Sequence, residues 1–573
     1  MPVQNADVSE IFNKLADLLD IQGANPFRVR AYRNAARTVT SLPRNVADMI
    51  QENNDLSELA GIGKDLAGKI QEIVQTGTLS QLEEVEKETP SELNQLMNVG
   101  GLGPKRVKAL YQELGIRNLK ELKAAAESQK IRDLEGFGEK TEQQILEELQ
   151  QMDGSEVRIK LLEAEQRAEP LVDYLKKTKG LKEITVAGSF RRKKETVGDL
   201  DILVTCKKGS KIMDRFVRYE DIRKVVSQGT TRSTVILRSG LQVDVRVLPQ
   251  VSYGAALHYF TGSKSHNIAV RKIGTKKGLK INEYGVFKGD ERIAGKTEKE
   301  VYDQVGLPYI EPELRENRGE VEAAQKDELP SLLTLKDIRG DLHSHTKATD
   351  GHHSLEAMAK AAKEHGYEYL AVTDHSQKVT MAKGLDAKRL SEQIKAIDKL
   401  NEELEGIRIL KGIEVDILED GSLDLPDDIL KELDLRVCSV HYKQNLSQQK
   451  QTERIIRAMD NPYFNILAHP TGRLINERKP MELNLEKIME AAKDRGCHLE
   501  VNAHPDRLDL SDPYCKMARE MDLNLAISTD AHSTSDLDFM RFGVNQARRG
   551  WLEPGDVLNT HSWKQLKKLL QRK

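Results

Sequence analysis

Residues 188–205 read GSFRRKKETVGDLDILVT, and residues 241–248 read LQVDVRVL. Side chains on a strand alternate between its two faces, so Asp199 and Asp201 leave the first predicted strand on one side while the apolar residues between and after them face a core. In the second stretch the valines alternate in the same way and place Asp244 on the polar face. The pattern therefore predicts two strands that bring three carboxylates together.

These carboxylates lie in a strongly basic part of the chain. The segment from Lys176 to Lys288 contains 25 Lys or Arg against 9 Asp or Glu, whereas the whole chain has 88 against 91. A local excess of positive charge is typical of nucleic-acid binding, and a solvated lysine-rich surface is the alternative.

Clustered carboxylates repel one another unless a cation neutralises them, and their oxygen ligands suit Mg²⁺. Two such ions about 4 Å apart would support nucleotidyl transfer. Solvent-exposed aspartates on edge strands are the alternative.

Three glycine pairs precede this region. They occur in LAGIGKDLAGKIQEI (59–73), NVGGLGPKRVKALYQEL (98–114) and LEGFGEKTEQQILEEL (134–149). The glycines permit a tight turn, and the free N–H groups of the following helix can bind a phosphate. The stretches resemble helix-hairpin-helix motifs, which bind the DNA backbone without reading sequence, and ordinary turns are the alternative. The candidate DNA-binding residues are Gly61, Gly63, Gly101, Gly103, Gly136 and Gly138.

The carboxyl-terminal part of the chain is rich in histidine, since 12 of the 14 histidines follow Ile338. Strand-like runs such as DLHSHT (341–346), YLAVTDH (369–375) and RVCSVH (436–441) end in residues that can ligate a metal, and helical stretches separate them. Alternating strands and helices predict a β/α barrel whose functional residues share the face at the carboxyl ends of the strands.

Nine candidate metal ligands follow from this pattern. They are His343, His345, Asp350, His375, Glu414, His441, His469, Asp530 and His532. Imidazole and carboxylate without thiolate suit Zn²⁺ or Mn²⁺, and nine groups exceed the needs of one ion. A single buried histidine is more often structural, and we take that interpretation for His258, His365 and His498.

The first set of motifs identifies a family. GSFRRKKETVGDLD, VDVR and YFTGSKSHNIAVRKIGTKKGLKINEYGVF (259–287) resemble the palm and the nucleotide-binding thumb of family X DNA polymerases, such as DNA polymerase beta, and the resemblance covers roughly residues 1–315. It implies that Asp199, Asp201 and Asp244 are catalytic and hold two Mg²⁺ ions.

The same resemblance implies the residues that bind the nucleotide. Gly188, Ser189, Arg192 and Gly198 would bind the triphosphate; Tyr259, Phe260 and Gly262 would form a turn facing the sugar; Asn267 would contact the nascent base pair and Arg271 the template. Two positions depart from the animal enzyme, because Gln242 replaces an Arg and Lys264 replaces an Asp. Transition-state positioning and base discrimination are therefore expected to differ.

The amino-terminal part resembles the small domain that binds the 5′-phosphate side of a gap. Lys69 lies at the position of the family's Schiff-base lysine, which implies a possible lyase activity. The family's supporting lysines are not matched, and Asp65 lies at one of their positions. The alternative is a surface lysine beside a hairpin.

The histidine-rich part resembles the PHP (polymerase and histidinol phosphatase) domain over residues 338–573. The resemblance implies up to three metal ions and hydrolysis of phosphoesters. One ion would be held by His343, His345, Glu414 and Asp530, a second by Glu414, His441 and His469, and a third by Asp350, His375 and His532.

The chain has 573 residues, about four times the ~150-residue prior for one domain, so we predict a multidomain protein. The fold class is an all-α helix-hairpin-helix amino-terminal region, an α+β nucleotidyltransferase palm and thumb, and a C-terminal β/α barrel of PHP type. The predicted bounds are 1–85 for a DNA-binding domain like the family's 8-kDa domain, 86–155 for a fingers-like region with two further hairpins, 156–250 for the palm, 251–315 for the thumb, 316–337 for a linker and 338–573 for the PHP domain.

Three features of the sequence indicate where in the cell the protein is expected. No apolar run has the 18 to 20 residues of a membrane span, the amino terminus lacks the features of a secretion signal, and the four cysteines form no CxxC pair. We therefore expect a monomer in the bacterial cytoplasm, associated with the nucleoid and not with a membrane.

Together the two halves predict a DNA polymerase that fills short gaps in DNA repair and carries a metal-dependent 3′-5′ exonuclease in its PHP domain, acting also on abasic or blocked ends. Its expected partners are gapped or primer-template DNA and dNTPs. One alternative is a template-independent nucleotidyltransferase with a small-molecule phosphoesterase domain. Another is a DNA-end scaffold without catalytic activity.

Overall fold

The computed structural model of the chain describes every residue except 1–2, 4, 43–44, 60, 98, 100, 153–157, 208–210 and 573. The predicted boundary between residues 155 and 156 falls outside the described residues. The chain divides into two compact units. The first contains residues 1–158 and 165–170, and the second contains residues 159–164 and 171–573.

The first unit is helical. Its α-helices are Asn5–Gln22, Pro26–Ser41, Val46–Gln51, Lys64–Thr76, Ser80–Glu88, Asn94–Met97, Pro104–Leu114, Leu119–Glu127 and Glu139–Met152. One apolar cluster fills its interior and runs from Val3 to Leu149. Helix Leu161–Lys176 contributes residues 165–170 to this unit, where the Arg167 guanidinium donates to Asp7 Oδ1 at 2.6 Å.

The second unit begins with the sheet that carries the three predicted carboxylates. Its strands are β1 (Ile159–Lys160), β2 (Leu181–Val186), β3 (Thr196–Val197), β4 (Asp199–Cys206), β5 (Ile222–Gln228), β6 (Arg232–Leu237) and β7 (Gln242–Val247). Five of them form a sheet in the order β2-β4-β7-β6-β5, while β1 pairs with β3. Strands β4 and β7 run parallel and the other neighbours in the five-stranded sheet run antiparallel. Short helices Gly188–Arg191 and Ile212–Phe216 connect the strands.

A small α+β layer follows the sheet. It contains helices Tyr253–Thr261, Lys264–Lys276 and Glu298–Val305 and an antiparallel sheet of β8 (Leu279–Asn282), β9 (Gly285–Lys288) and β10 (Glu291–Ala294). Its apolar core includes Val270 and Tyr302, and also Trp551 from near the end of the chain.

The segment that we predicted as a linker contains helix Glu320–Lys326. Its Glu320 side chain is fully buried and lies 2.6 Å from His266 Nδ1, whose other ring nitrogen bonds Tyr302 at 2.9 Å. Charge, weak periodicity and the flanking prolines predicted a linker at 316–337, and within that segment this carboxylate bonds a buried histidine of the preceding layer.

The rest of the unit is a parallel barrel. Its strands are β11 (Gly340–Asp341), β12 (Tyr369–Val372), β13 (Arg408–Asp416), β14 (Leu435–Ser439), β15 (Ile466–Leu467), β16 (His498–Asn502) and β17 (Leu525–Ser528), and they lie side by side in chain order. All their pairings are parallel. A parallel bridge between Ser344 and Ala531 links the first strand's extension to the last, so the ring nearly closes.

Helices surround the barrel. They are Leu355–Glu364, Ala387–Glu403, Asp427–Leu430, Gln448–Ala458, Leu485–Arg495, Asp512–Glu520, Met540–Arg549 and Trp563–Leu569. Alternate strand residues face opposite sides: Leu370 belongs to the large core beneath the helices, whereas Tyr369 and Ala371 belong to the inner cluster with Leu566.

Two further observations concern the whole chain. Within the described residues, no helix combines the length and the hydropathy that crossing a membrane requires. All four cysteines are free thiols, and Cys438, Cys497 and Cys515 are buried.

Gly254 provides a test of the packing between helices Tyr253–Thr261 and Glu298–Val305. A Cβ atom at Gly254 would lie 2.1 Å from the carbonyl carbon of Thr297 and 2.2 Å from its Cα. Backbone atoms cannot rotate away, so we expect Gly254→Ala to lower the free energy of unfolding by about 2 kcal/mol or more. Urea unfolding followed by circular dichroism measures this. A Cβ at Gly555 meets nothing within 4 Å, so Gly555→Ala serves as the control, and equal unfolding midpoints for the two variants would contradict the packing.

Candidate active sites

The pairing of β4 with β7 positions the three carboxylates of the first site. In the register of this parallel pair Asp201 lies opposite Asp244, and Asp199 lies opposite Gln242. Asp199 and Asp201 are half-buried on alternate positions of β4, and Leu200 between them is fully buried. The structure therefore brings the three predicted residues to one face of the sheet, on two neighbouring inner strands.

Asp244 is held by hydrogen bonds from two strands. Its Oδ1 accepts from Arg232 Nε and Nη2, both at 3.1 Å, and from Thr234 Oγ1 at 2.5 Å, while its Oδ2 accepts from Gln242 Nε2 at 3.0 Å. Asp244 itself is only 4% exposed. Gln242, which the sequence marked as a departure, thus contacts the carboxylate as a neutral donor, and Arg232 on β6 supplies a positive charge.

The electrostatics of the site favour a cation. Burial, followed by the nearby Asp199 and Asp244 carboxylates, raises the pKa of Asp201 to about 7. The charged form of Asp201 is therefore unfavourable unless a positive ion joins the cluster. Gly188 adopts φ +64°, and a Cβ there would lie 3.3 Å from Asp201 Oδ2, so glycine keeps this side of the carboxylate open. The donor set fits divalent metal ions with oxygen ligands.

The predicted nucleotide-binding residues occupy two neighbouring regions. Gly188 and Ser189 lie in the short helix Gly188–Arg191, Arg192 is the residue that ends it, and Gly198 immediately precedes β4. Tyr259 and Phe260 lie in the last turn of helix Tyr253–Thr261, so they are helical and only Gly262 forms the turn. Asn267 and Arg271 lie four residues apart on helix Lys264–Lys276.

Hydrogen bonds tie these residues to one another. Asn267 Nδ2 donates to the carbonyl oxygens of Tyr259 at 2.6 Å and Gly262 at 3.4 Å. A Cβ at Gly262 would lie 2.6 Å from Asn267 Oδ1, so the close approach requires glycine. Arg271 Nε donates to the Asn267 carbonyl oxygen at 3.3 Å.

Arg192 is fixed by its neighbours. Its Nη1 donates to the Thr261 carbonyl oxygen at 2.7 Å, and its Nε lies 2.9 Å from Glu316 Oε1. Arg549, on helix Met540–Arg549 of the barrel, donates to the Arg192 carbonyl oxygen at 2.7 Å and to Glu316 Oε1 at 3.1 Å. Its other terminal nitrogen, Nη2, bonds Asp512 at 2.7 Å. A chain of four charged side chains thus connects the barrel to Arg192.

A second contact joins the same loop to the barrel. Arg473 Nη2 lies 2.6 Å from Oε2 of Glu195, which precedes β4 by four residues. Arg473 follows the candidate ligand His469 by four residues and also donates to the Arg507 carbonyl oxygen at 2.9 Å. The loop before β4 is therefore anchored to the barrel at both Arg192 and Glu195.

In the first unit, the three glycine pairs share one conformation. Gly61, Gly101 and Gly136 have φ values of +65°, +85° and +80°, which favour glycine, and Gly63 and Gly103 cap helices Lys64–Thr76 and Pro104–Leu114. Gly138 directly precedes helix Glu139–Met152. A Cβ at Gly63, Gly103, Gly136 or Gly138 would meet nothing within 4 Å, so each turn leaves space in front of the helix N–H groups.

Lys69 lies on helix Lys64–Thr76. Its ammonium group pairs with Asp65 one turn earlier and lies 5.7 Å from the centre of the Tyr32 ring. The Lys69 ammonium group is therefore engaged by Asp65 in this structure.

The nine predicted ligands of the second site meet at the carboxyl-end mouth of the barrel. His343 and His345 follow β11, His375 follows β12, Glu414 lies near the end of β13, His441 follows β14, His469 follows β15, and Asp530 and His532 follow β17; Asp350 lies in the loop after β11. Because the strands are parallel, their carboxyl ends share one side.

Glu414 lies at the centre of this cluster. Its Oε2 is 2.7 Å from His375 Nδ1, 3.6 Å from His343 Nε2 and 3.7 Å from His345 Nε2. Its Oε1 is 3.0 Å from His469 Nε2 and 3.3 Å from His441 Nε2. One carboxylate thus reaches five imidazoles.

Asp530 and Asp350 complete the cluster. Asp530 Oδ1 lies 3.1 Å from His345 Nε2 and 3.5 Å from His343 Nε2. Asp350 Oδ2 lies 3.2 Å from His375 Nε2 and 3.6 Å from His532 Nε2.

Among the described residues, three sets of ligand atoms lie close enough to hold an ion. The sets are His343, His345 and Asp530; His375, Glu414 and His441; and His345, Asp350, His375 and His532. They resemble the three sets that the PHP resemblance implies, with His345 and His375 each shared between two. His469 belongs to the cluster through its contact with Glu414.

Buried ligand atoms without hydrogen bonds indicate where ions fit. Among the described residues, His343 Nε2 and His345 Nδ1 are buried and form no hydrogen bond, and the buried His375 Nδ1 and Glu414 Oε2 contact each other as an ion pair at 2.7 Å. Burial works against the charged imidazole, but the Glu414 and Asp350 carboxylates raise the pKa of His375 to about 11. Protons therefore neutralise the carboxylates when ions do not, and ion binding must release protons. Imidazole and carboxylate donors fit divalent transition metals.

A second layer of carboxylates orients the ligands and was missed from the sequence. Glu500 Oε1 lies 2.8 Å from His343 Nδ1, and its Oε2 accepts from the His469 N–H at 2.7 Å. Asp416 Oδ2 lies 3.2 Å from His441 Nδ1. The run HLEVN (498–502), which forms β16, carried the available signal, because it is a further apolar strand with polar residues near its end.

The comparisons with known proteins agree with this geometry. Models of the helix-hairpin-helix domain, the SAM-like helix-hairpin-helix tandem, the DNA polymerase beta palm, the DNA polymerase beta thumb and the PHP domain match residues 3–79, 93–151, 158–254, 256–316 and 341–504. The chain is 39% identical over 570 residues, 99% of both chains, to the DNA polymerase/3'-5' exonuclease PolX of Bacillus subtilis (strain 168). The chain belongs to the PolX family. The predicted resemblance and fold class are confirmed.

Two further relatives match part of the chain. A protein of Thermoanaerobacter sp. (strain X514) that is named as a probable phosphatase is 31% identical over 245 residues, 41% of this chain and 94% of the relative. DNA polymerase lambda of Arabidopsis thaliana is 29% identical over 349 residues, 55% of this chain and 62% of the relative. The PHP match ends at residue 504, yet the structure adds Asp530 and His532 to the histidine cluster.

The raised pKa of Asp201 predicts a pH-dependent stability. Between about pH 4 and pH 7 the metal-free native state keeps a proton on Asp201 that the unfolded chain, with its ordinary pKa of 3.8, has lost. Stability contributed by this site therefore decreases as the pH rises through that window. In EDTA, the urea concentration at the unfolding midpoint should be higher for Asp201→Asn than for the wild type. The difference between the two midpoints should grow from pH 4 to pH 7 and then level off. A margin that does not change with pH would contradict the shift.

The contact of Glu500 with His343 predicts a role in metal retention. An amide in Glu500→Gln cannot accept from both the His343 ring and the His469 N–H, so we expect a 10- to 100-fold lower metal affinity. Elemental analysis after dialysis against graded chelator concentrations measures it. Glu490, exposed on helix Leu485–Arg495, gives the matched control Glu490→Gln. Equal metal retention in both variants would exclude the role.

Proposed function

We propose that this protein is a DNA polymerase/3'-5' exonuclease that fills short gaps in DNA repair by nucleotidyl transfer and trims 3′ ends in its PHP domain, including abasic or blocked ends. The observation that carries the proposal is the presence of two separate ligand clusters on one chain, an aspartate cluster on the palm sheet and a histidine cluster at the mouth of the barrel. The name of the full-length Bacillus subtilis relative contains both activities.

In the polymerase site, Asp199, Asp201 and Asp244 would hold two Mg²⁺ ions. When bound, such ions favour ionisation of a primer 3′ hydroxyl and neutralise charge on a departing pyrophosphate. Asp244 keeps its orientation through Arg232, Thr234 and Gln242. These hydrogen bonds fix the orientation of the Asp244 carboxylate before substrate binds. Less free energy is then needed to reorient it during the reaction.

The nucleotide would lie between the loop before β4 and the helices after β7. Gly188, Ser189, Arg192 and Gly198 would face its triphosphate, and Tyr259, Phe260 and Gly262 its sugar. Asn267 would contact the new base pair and Arg271 the template. The Asn267 hydrogen bonds to Tyr259 and Gly262 support this assignment, because they join the sugar-facing residues to the base-facing one.

In the exonuclease site, the nine histidine and carboxylate ligands would hold up to three Mn²⁺ or Zn²⁺ ions. Bound ions would activate a water nucleophile and neutralise charge at the phosphorus. Glu500 and Asp416 keep the imidazoles of His343 and His441 oriented for that task. Thr346 and Thr349 both bond Asp374, which fixes the loop that carries Asp350.

The first unit would bind the DNA backbone. Gly61, Gly63, Gly101, Gly103, Gly136 and Gly138 would place helix N–H groups against phosphates of gapped or primer-template DNA. A lyase reaction at Lys69 would first have to open its ion pair with Asp65. We propose that the chain works as a monomer in the bacterial cytoplasm near the nucleoid, with the domain bounds given above.

A 5′-labelled primer on a one-nucleotide gap tests the whole proposal. With dNTPs and Mg²⁺ or Mn²⁺ the primer should lengthen by one residue, and without dNTPs it should shorten. Replacing Asp199 and Asp201 together with Ala should abolish extension and leave shortening. Replacing His343 and Asp530 together with Ala should abolish shortening and leave extension. Gel electrophoresis resolves both products.

Three outcomes would contradict the proposal. Extension that survives loss of the aspartates would remove the polymerase assignment. Hydrolysis of small phosphomonoesters but not of DNA would favour a phosphatase, which the match to the Thermoanaerobacter relative raises as a second candidate. Equal extension of gapped and blunt substrates would favour template-independent transfer.

The bonds of Arg549 to the Arg192 carbonyl and to Glu316 predict an effect on nucleotide binding. Arg549→Gln removes the charge that holds Glu316 against Arg192, and we expect an about tenfold higher KM for dNTP because charge-assisted hydrogen bonds contribute about 1.5–3 kcal/mol. Exonuclease activity should stay unchanged. Single-nucleotide incorporation kinetics measure the KM, and Lys564→Gln on the exposed side of helix Trp563–Leu569 is the control. An unchanged KM would contradict the connection.

A further inference from the structure

A shallow surface cavity of about 560 Å³ is lined by residues that follow the histidine ligands in the chain. It is lined by Gln377, Lys378, Thr380, Asp424 and Tyr442. The first three follow the ligand His375 by two to five residues, and Tyr442 directly follows the ligand His441. The cavity therefore belongs to the same barrel mouth as the metal ligands.

Tyr442 presents a fixed aromatic ring to this cavity. Tyr442 is 38% exposed and is among the exposed large hydrophobic residues of the described chain. Its hydroxyl donates to the Lys378 carbonyl oxygen at 3.0 Å, and its own carbonyl accepts from the buried Arg454 Nη1 at 2.9 Å. The ring is held at both ends, so its orientation is set before a ligand arrives.

Charged residues of both signs lie on or beside the cavity. The ammonium groups of Lys378 and Lys443 form no ion pair with any residue that the structure describes, and both lie within three residues of a metal ligand. Inside the cavity, Asp424 Oδ2 accepts from the Lys378 backbone N–H at 2.6 Å. The cavity therefore offers a cation for a phosphate and a carboxylate for hydrogen-bond donors of a base or sugar.

A second exposed apolar residue adjoins the cavity lining in the chain. Met381 follows the lining residue Thr380 in the short 3-10 helix Thr380–Ala382 and is 91% exposed. A site for a small phosphomonoester would need neither this side chain nor an exposed aromatic ring. Both groups suit a flat, partly apolar ligand that carries its phosphate at one end.

We infer that this cavity binds the base of the 3′-terminal nucleotide of a single DNA strand, with Tyr442 as the surface on which the base stacks. The inference rests on the proposed exonuclease function. Only an unpaired base offers a free face to an aromatic ring, and such stacking is sequence-tolerant because every base has one. Asp424 accepts hydrogen bonds from base or sugar groups, while the phosphate lies toward the histidine cluster.

Steady-state kinetics on two substrates test the inference. The substrates are a 5′-labelled single-stranded oligonucleotide and the same oligonucleotide ending in an abasic residue, which has no ring to stack. Stacking of one base is worth about 1–3 kcal/mol, so Tyr442→Ala should raise KM for the oligonucleotide with a 3′-terminal base about 5- to 150-fold and leave KM for the abasic-ended one unchanged. Tyr442→Phe should keep most of the affinity. Tyr514, 37% exposed on helix Asp512–Glu520, gives the control Tyr514→Ala.

An unchanged KM for DNA in Tyr442→Ala would overturn the inference, and so would an equal loss on both substrates. Photocross-linking separates these outcomes from failure of the exonuclease proposal, because it does not depend on cleavage. An oligonucleotide with 5-iodouracil at its 3′ end, joined by a phosphorothioate linkage, should cross-link to the peptide that contains Tyr442. Cross-links confined to other peptides would overturn the inference even if the wild type degrades DNA.

Discussion

The parallel pairing of β4 with β7 is the constraint on which the polymerase site depends. It places Asp201 opposite Asp244, so like charges are held together by the hydrogen bonds of a sheet. A sheet cannot relax such repulsion by moving one strand, because a shift of one residue would turn every side chain to the other face. The repulsion is instead relieved chemically, by a proton on Asp201, by the Arg232 guanidinium or by a bound cation.

Both clusters contain buried carboxylates whose negative charge must be neutralised, and they differ in the groups that neutralise it. In the palm, carboxylates outnumber the cations that touch them, and the site favours an added positive ion. In the barrel, one central carboxylate, Glu414, lies among five imidazoles that protons or metal ions can occupy in turn. The first donor set fits hard cations that prefer oxygen ligands, and the second fits divalent transition metals.

Much of both sites could be predicted because their spacing is local. Two aspartates two residues apart on a strand must share a face, and ligands at the ends of parallel strands must share a barrel mouth. Arg232 could not be predicted, because it reaches Asp244 through the pairing of β6 with β7. The sharing of His345 and His375 between sets depends on side-chain rotamers. The helix at Glu320–Lys326 depends on the buried partner His266, which lies 54 residues away in the chain.

The contacts between barrel and palm have a practical meaning for anyone who wishes to study one half of the chain alone. Cutting before the barrel would remove Trp551 from the core around Tyr302, and it would remove Arg549 from Glu316 and the Arg192 carbonyl. A truncated polymerase half would then lose packing and a buried counter-charge together. Any defect of the truncated protein would then result from the lost contacts and not from the missing nuclease activity. Single substitutions in the full chain therefore separate the two activities better than truncation does.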